Sequence, residues 1–504
     1  RGNRIMDELP DIFYGAAQVA ELDRRVIEDH GVDGFELMQR AAQAAFATLC
    51  QRWPRVRSLL VFCGPGNNGG DGYLVAKLAR AAGIDVRLLY FGDRARARGD
   101  AARALSAWEQ AGGAIEDWTG SLPTDAEVLV DALLGTGLGR PLAGPVGEAV
   151  CAINAARASG SRVFAIDIPS GVDADRGCLW GDAVRADATA TFIGAKLGLF
   201  TGEGSACAGE VSFHRLDAPP EVFRAAPSLA RRISDQELRA ALPRRSRNAH
   251  KGSHGHLLCI GGNSGMGGAA RMAAQAALRV GAGLVSVATR AEHAAAMTQA
   301  RPELMCRAVA DAQDLTPLLA SASVIAIGPG LGQDDWARAL FAHALQTDLP
   351  LVVDADALNL LAAEACERGN WVLTPHPGEA GRLLGCDSRS VQADRPKAVA
   401  ELSDRYRATA VLKGAGTLVQ GADDGLWLCT EGNPGMATGG VGDLLTGVIA
   451  GLAAQGLPLE RAARVGVTLH ARAADCAAAQ GGERGLLPGD CLVPLRRLAN
   501  PNGY

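Results

Sequence analysis

Aromatic side chains make up only 5% of this 504-residue chain, and neither a basic block nor an interleaving of aromatic and basic residues runs through it. A surface that holds nucleic acid needs such a pattern, so no nucleic-acid partner is expected. No apolar run reaches the length that crosses a bilayer, and the start, Arg-Gly-Asn-Arg-Ile-Met, lacks the apolar core of a secretory signal. We expect a cytoplasmic protein with no membrane partner. The twelve cysteines are scattered without a Cys-x-x-Cys pair. That removes the zinc-ribbon and thioredoxin signatures and points to reduced, buried thiols. No Gly-x-x-x-x-Gly-Lys-Ser/Thr occurs, so a P-loop is absent. His250, His254 and His256 sit among glycines without a matching cysteine or carboxylate cluster, and no metal is expected there.

Aliphatic residues and glycine, by contrast, are plentiful, with 63 glycines and a net charge of -5 from 50 basic and 55 acidic residues. The length exceeds one core, and short apolar runs that end in glycine loops or polar residues predict an α/β protein of two doubly wound domains. Apolar spacing predicts two packing helices between Ala16 and Trp53. Ser58–Cys63 reads as a buried strand. It leads into Gly64-Pro-Gly-Asn67-Asn68-Gly69-Gly70-Asp71-Gly72 and a helix from Tyr73 to Ala82, a strand, glycine loop and helix of dinucleotide-binding type. The asparagine pair offers amide donors and carbonyl acceptors to a ligand or a hard cation.

Later strands deliver Asp131, followed by Gly135-Thr136-Gly137-Leu138-Gly139-Arg140-Pro141, and Asp167 with Ser170. Ligands collect at the carboxyl ends of such strands. The sequence turns rich in Pro, Arg and Ala after Pro219, and we place a linker at 223–233 between domains at 10–222 and 234–504. The second half repeats the theme with strands near Leu257, Leu284, Ser323, Leu351, Trp371 and Thr409. It ends in Asn433-Pro-Gly-Met-Ala-Thr-Gly439-Gly440-Val441-Gly442-Asp443. A helix that starts near Val441 would aim its free N–H groups at a phosphate, and Asp443 beside it suits a base that takes a proton from an attacking hydroxyl. A helix-capping acid is the plain alternative for Asp443, and a turn residue bonded to backbone is the one for His376.

With these residues in view, the chain resembles the bifunctional NAD(P)H-hydrate repair enzymes, an epimerase domain of Rossmann-like fold fused to a nucleotide-dependent dehydratase domain of the ribokinase-like superfamily. Gly64–Gly72 and Asp167-Ile-Pro-Ser-Gly171 carry the likeness in the first half. Thr374-Pro-His376-Pro-Gly-Glu379, Lys413-Gly414-Ala415-Gly416-Thr417 and Asn433–Gly447 carry it in the second. The resemblance implies that Asn67–Asp71 and Gly135–Pro141 hold the hydrate, that potassium binds at Asn68, Asp131 and Ser170, and that Asp167 is catalytic, moving protons as R and S hydrates interconvert. In the second domain it implies Asp443 as base, an anion hole at Gly439–Gly442, and nucleotide contacts from Lys413 to Thr417 and from Gly442. Ala269, Gly330, His376 and Asp443 would touch the hydrate. ADP is the implied phosphoryl donor, with ATP as the other possibility, and magnesium accompanies it. A homo-oligomer is expected. A ribokinase-type small-molecule kinase, and a binding or scaffold role for the first domain, stand as rival readings.

Overall fold

The apolar runs form strands because they are buried on both faces, as strands sandwiched between helix layers must be. The computed structural model describes residues 8–93, 97–122, 126–422 and 425–503; Arg1–Met6, read above for signal character, lies outside them. The chain divides into two compact units at Arg231/Arg232.

In the first unit, β1 (Ile12–Phe13) pairs antiparallel with β9 (Ala230–Arg231). A parallel sheet holds β2 (Ser58–Cys63), β3 (Asp85–Tyr90), β4 (Glu116–Asp117), β5 (Val128–Ala132), β6 (Arg162–Ile166), β7 (Ala188–Phe192) and β8 (Glu210–His214). Their order is β4-β3-β2-β5-β6-β7-β8. Succession runs outward from β2 on one side and from β5 on the other, so the sheet's switch point lies between them, where α/β ligands bind. Leu59, Val61 and Cys63 pack among the helices Gly34–Arg52, Asn67–Ala81 and Gly99–Gln110. Their neighbours Leu60 and Phe62 face the opposite layer, where Ala149, Val150 and Ile153 of the helix Gly144–Ala158 lie.

The structure corrects one expectation here. The helix after β2 starts at Asn67, not Tyr73, so Asn67–Gly72 forms its first turns. Glycine is a poor helix former, but these glycines answer to packing: a Cβ on Gly69 would lie 2.0 Å from Gly64 O, and one on Gly72 2.6 Å from Ala132 Cβ. The first of the two N-terminal helices, Ala16–Arg24, runs into a π-helical turn at Arg25–Asp29.

The second unit contains β10 (His256–Ile260), β11 (Leu284–Thr289), β12 (Met305–Ala308), β13 (Val324–Ile327), β14 (Leu351–Val353), β15 (Trp371–Leu373), β16 (Thr409–Leu412), β17 (Leu418–Gln420) and β18 (Leu426–Leu428). They are ordered β18-β17-β16-β15-β14-β13-β10-β11-β12. Pairing is parallel from β12 to β16 and antiparallel through β17 and β18. Lys413–Thr417 is the connection between β16 and β17, and so short a link allows only a hairpin. The helices Gly267–Val280 and Val441–Ala454 lie parallel, backbone against backbone. A Cβ on Gly447 would sit 1.9 Å from Ala273 O, and one on Gly451 2.7 Å from Ala277 Cα. That register brings their two N-termini together.

Candidate active sites

At the switch point of the first sheet a cavity of about 800 Å³ opens. Asn67, Asn68 and Asp71 reach it from the first turns of the helix after β2. Gly135–Arg140 reach it from the loop after β5, and Asp167 from the end of β6. Gly69, Gly70 and Pro141 are not part of its wall.

Asp167 takes a left-handed backbone, φ 67°, and its N–H donates to Ala190 O at 2.7 Å. Its Oδ1 accepts from the buried ammonium of Lys196 and from Thr191 Oγ1 at 3.3 Å. Lys196, 1% exposed, also donates to Thr191 Oγ1 and Phe192 O, each at 3.1 Å. Burial, then the charges of Asp167 and Asp23, hold the Asp71 carboxyl well above its ordinary range, with Lys196 opposing.

Asp131 is fully buried and accepts from Ser170 N and Ser170 Oγ, both at 2.7 Å. Burial pushes it up to about 6 against those hydrogen bonds. Asn68 Nδ2 donates to Leu134 O at 2.9 Å, which leaves Asn68 Oδ1 buried with no hydrogen-bond partner.

The second crevice lies where the order of the other sheet reverses, between β10 and β13. Gly262 N and Asn263 N, after β10, donate to Pro329 O and Gly330 O, after β13. Gly330 has φ 59°, and a Cβ there would stand 3.1 Å from Ala269 Cβ, so the two small residues expected at the hydrate are neighbours. Across the crevice Lys413 Nζ donates to Asp354 Oδ1 at 2.8 Å, and Thr446 Oγ1 to Asp354 Oδ2 at 2.7 Å. Burial works against ionisation of Asp354, but Lys413 and Thr446 outweigh it and hold the carboxyl below its ordinary range. Burial likewise opposes the charge on Lys413, and Asp354, Glu379 and Asp443 overcome it.

Gly440 begins the helix Val441–Ala454 with φ 92°, and no side chain caps it. Asp443 is the acid of the helix's first turn. Burial, followed by the charges of Asp354, Asp356 and Glu379, pushes Asp443 up to about 6, with Lys413 opposing. A Cβ on Gly442 would lie 3.2 Å from Lys413 Nζ, so the ammonium sits directly beside the helix start. Gly439 lies open, with no atom within 4 Å of where its Cβ would be.

Lys413 N donates to Pro375 O at 2.9 Å, which ties the hairpin loop to the turn that carries His376. The Arg395 guanidinium braces that loop from below, donating to the carbonyls of Leu412, Lys413 and Gly416. Thr417 Oγ1 closes it onto Gly414 O at 3.1 Å, and Ala415 lies between them. His376 caps the helix Pro377–Leu384: its Nδ1 accepts from Gly378 N at 2.9 Å, and Glu379 Oε2 accepts from His376 N at 2.8 Å. The ring, 52% exposed, therefore carries its proton on Nε2 when neutral.

The family profile described as YjeF-related protein N-terminus matches residues 34–198, and the one described as NAD(P)H-hydrate dehydratase matches residues 257–492. The bifunctional NAD(P)H-hydrate repair enzyme of Coxiella burnetii is 49% identical over 97% of this chain and 100% of its own length. The chain belongs to the bifunctional NAD(P)H-hydrate repair enzymes. The repair enzyme of Escherichia coli is 42% identical over 98% of this chain and 95% of its own. Among solved structures, a ribokinase-like superfamily protein of Enterococcus faecalis is 31% identical, with TM-score 0.51, over 54% of this chain and 95% of that one.

Several residues at the two centres of this family member escaped the sequence reading. Lys196 lies in Gly-Ala-Lys-Leu-Gly, which carries no motif. Asp23 lies in a helix read as packing, although it lines the first cavity. Asp354 follows the strand near Leu351 with no motif around it, and its partner is 59 residues away.

Proposed function

We propose that this member of the repair family restores reduced nicotinamide dinucleotides from their hydrates in two steps, R/S epimerisation at the first cavity and nucleotide-driven dehydration of the S hydrate at the second crevice. The observation that carries the reading is Asp443, a carboxyl held near neutral titration in the first turn of an uncapped, glycine-led helix beside Lys413 and Asp354. A base in that range can be ionised yet still accept a proton near pH 7.

In the dehydration, Asp443 takes the proton of the C6 hydroxyl as its oxygen attacks the terminal phosphoryl group of ADP, and the P–O bond to the bridging oxygen breaks to release AMP. The N–H groups of Gly439–Gly442 and the Lys413 ammonium face the charge that builds on that group. Phosphate then leaves C6 with its bonding pair, and loss of a proton from C5 restores the dihydropyridine. Lys413–Thr417 and Gly442 hold the nucleotide, and Ala269, Gly330 and His376 the hydrate. Magnesium would neutralise phosphate charge. Among the described residues no three His, Cys, Asp or Glu side chains gather in a metal nest.

In the epimerisation, Asp167 moves the protons as the C6 hydroxyl leaves and returns on the other face. Potassium fits Asn68, Asp131 and Ser170, a set of oxygen donors suited to a hard cation. The orphaned, buried Asn68 Oδ1 supports it, since such an atom costs about 1–3 kcal/mol without a partner. Asp131 adds a buried carboxyl that no basic side chain hydrogen-bonds. When bound, the ion would supply the positive charge this corner lacks and fix the loop after β5.

The test is to give purified protein each hydrate epimer with ADP or ATP and follow recovery of the dihydronicotinamide absorbance. Both epimers are expected to recover with wild type, and the S epimer alone at an enzymatic rate with Asp167→Asn. Accumulation of a stable phosphorylated hydrate would mean a kinase instead.

A further inference from the structure

The chain offers the first cavity more carboxyls than its one described ammonium can pair. Asp23, Asp71 and Asp167 all line the wall, and Lys196 bonds to Asp167. Asp23 comes from the helix Ala16–Arg24, ahead of residues 34–198, where the first family profile matches.

Its position is built rather than incidental. Tyr14 N donates to Ala195 O, and Leu197 N donates to Tyr14 O, both at 2.9 Å, so backbone bonds flank Lys196 on either side. Two residues before Lys196, a Cβ on Gly194 would meet Val19 Cγ2 at 2.9 Å and Leu22 Cδ1 at 3.0 Å. The helix that carries Asp23 therefore rests directly on the segment that carries Lys196. Straight after Asp23 and Arg24 the helix widens into the π turn Arg25–Asp29, a distortion that re-aims the neighbouring side chains and recurs at functional sites. Glu21 takes Arg24 and Arg25 at 2.8 and 2.7 Å, so those arginines are engaged away from Asp23.

Building on the epimerase reading above, we propose that Asp23 is the second catalytic acid of the epimerase cavity, the partner with which Asp167 exchanges the proton that travels with the C6 hydroxyl. In one direction the C6–O bond breaks with its electron pair passing to oxygen, the Asp23 carboxyl protonates that oxygen to water, and the ring nitrogen lone pair forms the C6=N1 iminium. Water adds to the other face, and its proton passes to the Asp167 carboxylate. The reverse reaction runs the same steps with the two carboxyls exchanged, as microscopic reversibility requires. No oxidant or co-reactant is consumed. The surroundings agree: burial pushes Asp23 up to about 6, with Lys196 lowering and Asp167 raising it, so both protonation states are populated near neutrality. Asp71, Asp100 and Arg140 are the other charged groups of the wall.

The experiment compares full-length wild type, Asp23→Asn, Asp23→Glu and Asp167→Asn in R-to-S conversion across pH, in ¹⁸O-water, with dehydration of the S hydrate as a folding control. We expect Asp23→Asn to lower epimerase kcat by about a hundredfold or more at nearly unchanged KM. It should also lose the pH dependence near 6 that wild type displays, while Asp23→Glu recovers part of both. Each wild-type inversion should bring in one solvent oxygen. Full activity in Asp23→Asn beside an inactive Asp167→Asn overturns the role of Asp23 and leaves the epimerase reading standing, whereas full activity in both removes that reading as well. Inversion without solvent oxygen, or a loss in which KM rises and Asp23→Glu is no better than Asp23→Asn, also overturns the proposal.

Discussion

Lys413 Nζ lies 2.8 Å from Asp354 Oδ1, and the carboxyl is 1% exposed. Asp354 thereby fixes the ammonium beside the first turn of the helix Val441–Ala454. Removing one partner of a buried pair leaves the other charge uncompensated, so Asp354→Asn is expected to destabilise the second unit by about 3 kcal/mol, read by urea unfolding, and to cut dehydration sharply. The pH dependence has a definite sign. The folded carboxyl titrates below its unfolded value of about 4, so the pair's contribution is complete above that value and is lost as pH falls through the lower, folded one. The Asn variant should lack this acid-sensitive part of the stability.

As the proposed base, Asp443 would act only when ionised. Since burial and neighbouring carboxylates push it up to about 6, dehydratase kcat should rise with pH through that region. Asp443→Asn should lower kcat by roughly a hundredfold or more, with the nucleotide KM nearly unchanged. A variant that kept wild-type kcat would return Asp443 to a structural residue.

Potassium should be needed by one activity and not by the other. Replacing it with choline is expected to slow epimerisation and leave S-hydrate dehydration unaffected. Asn68→Ala, which removes the orphaned carbonyl, should raise the potassium concentration required by about tenfold or more. Titration of both activities against the ion checks this.

How much of this was legible in the sequence follows from where each signal resides. Strands such as Ser58–Cys63 and Thr409–Leu412 are nearly all apolar because both faces are buried, and such runs read directly. The acids at strand ends, Asp131 and Asp167, read from topology alone. Asn67–Gly72 was mistaken for a loop because local propensity counts against glycine, whereas the close approach of Gly64 and Ala132 is a tertiary fact. Lys196, Asp23 and Asp354 act through partners distant in the chain, and no local pattern announces them. The hairpin β16–β18 was missed for a related reason: the glycine-rich Lys413–Thr417 reads as a ligand loop before it reads as a turn.

The parallel packing of the helices Gly267–Val280 and Val441–Ala454 leaves no room at Gly447. Gly447→Val should force the pair apart and cost about 3 kcal/mol, seen as a lower unfolding midpoint of the second unit. Dehydration should weaken with it, because the paired N-termini separate; epimerisation should persist.

Asp167, the proposed epimerase acid, has a left-handed backbone, φ 67°, a conformation that burdens any residue but glycine by about 1 kcal/mol or more. Asparagine tolerates it nearly as well as aspartate, which makes Asp167→Asn a cleaner probe than alanine. Glycine at 167 would relieve that burden but leave the buried Lys196 ammonium without its carboxylate partner, a larger loss than the strain removed, so the strained conformation is held in place by the charge it serves.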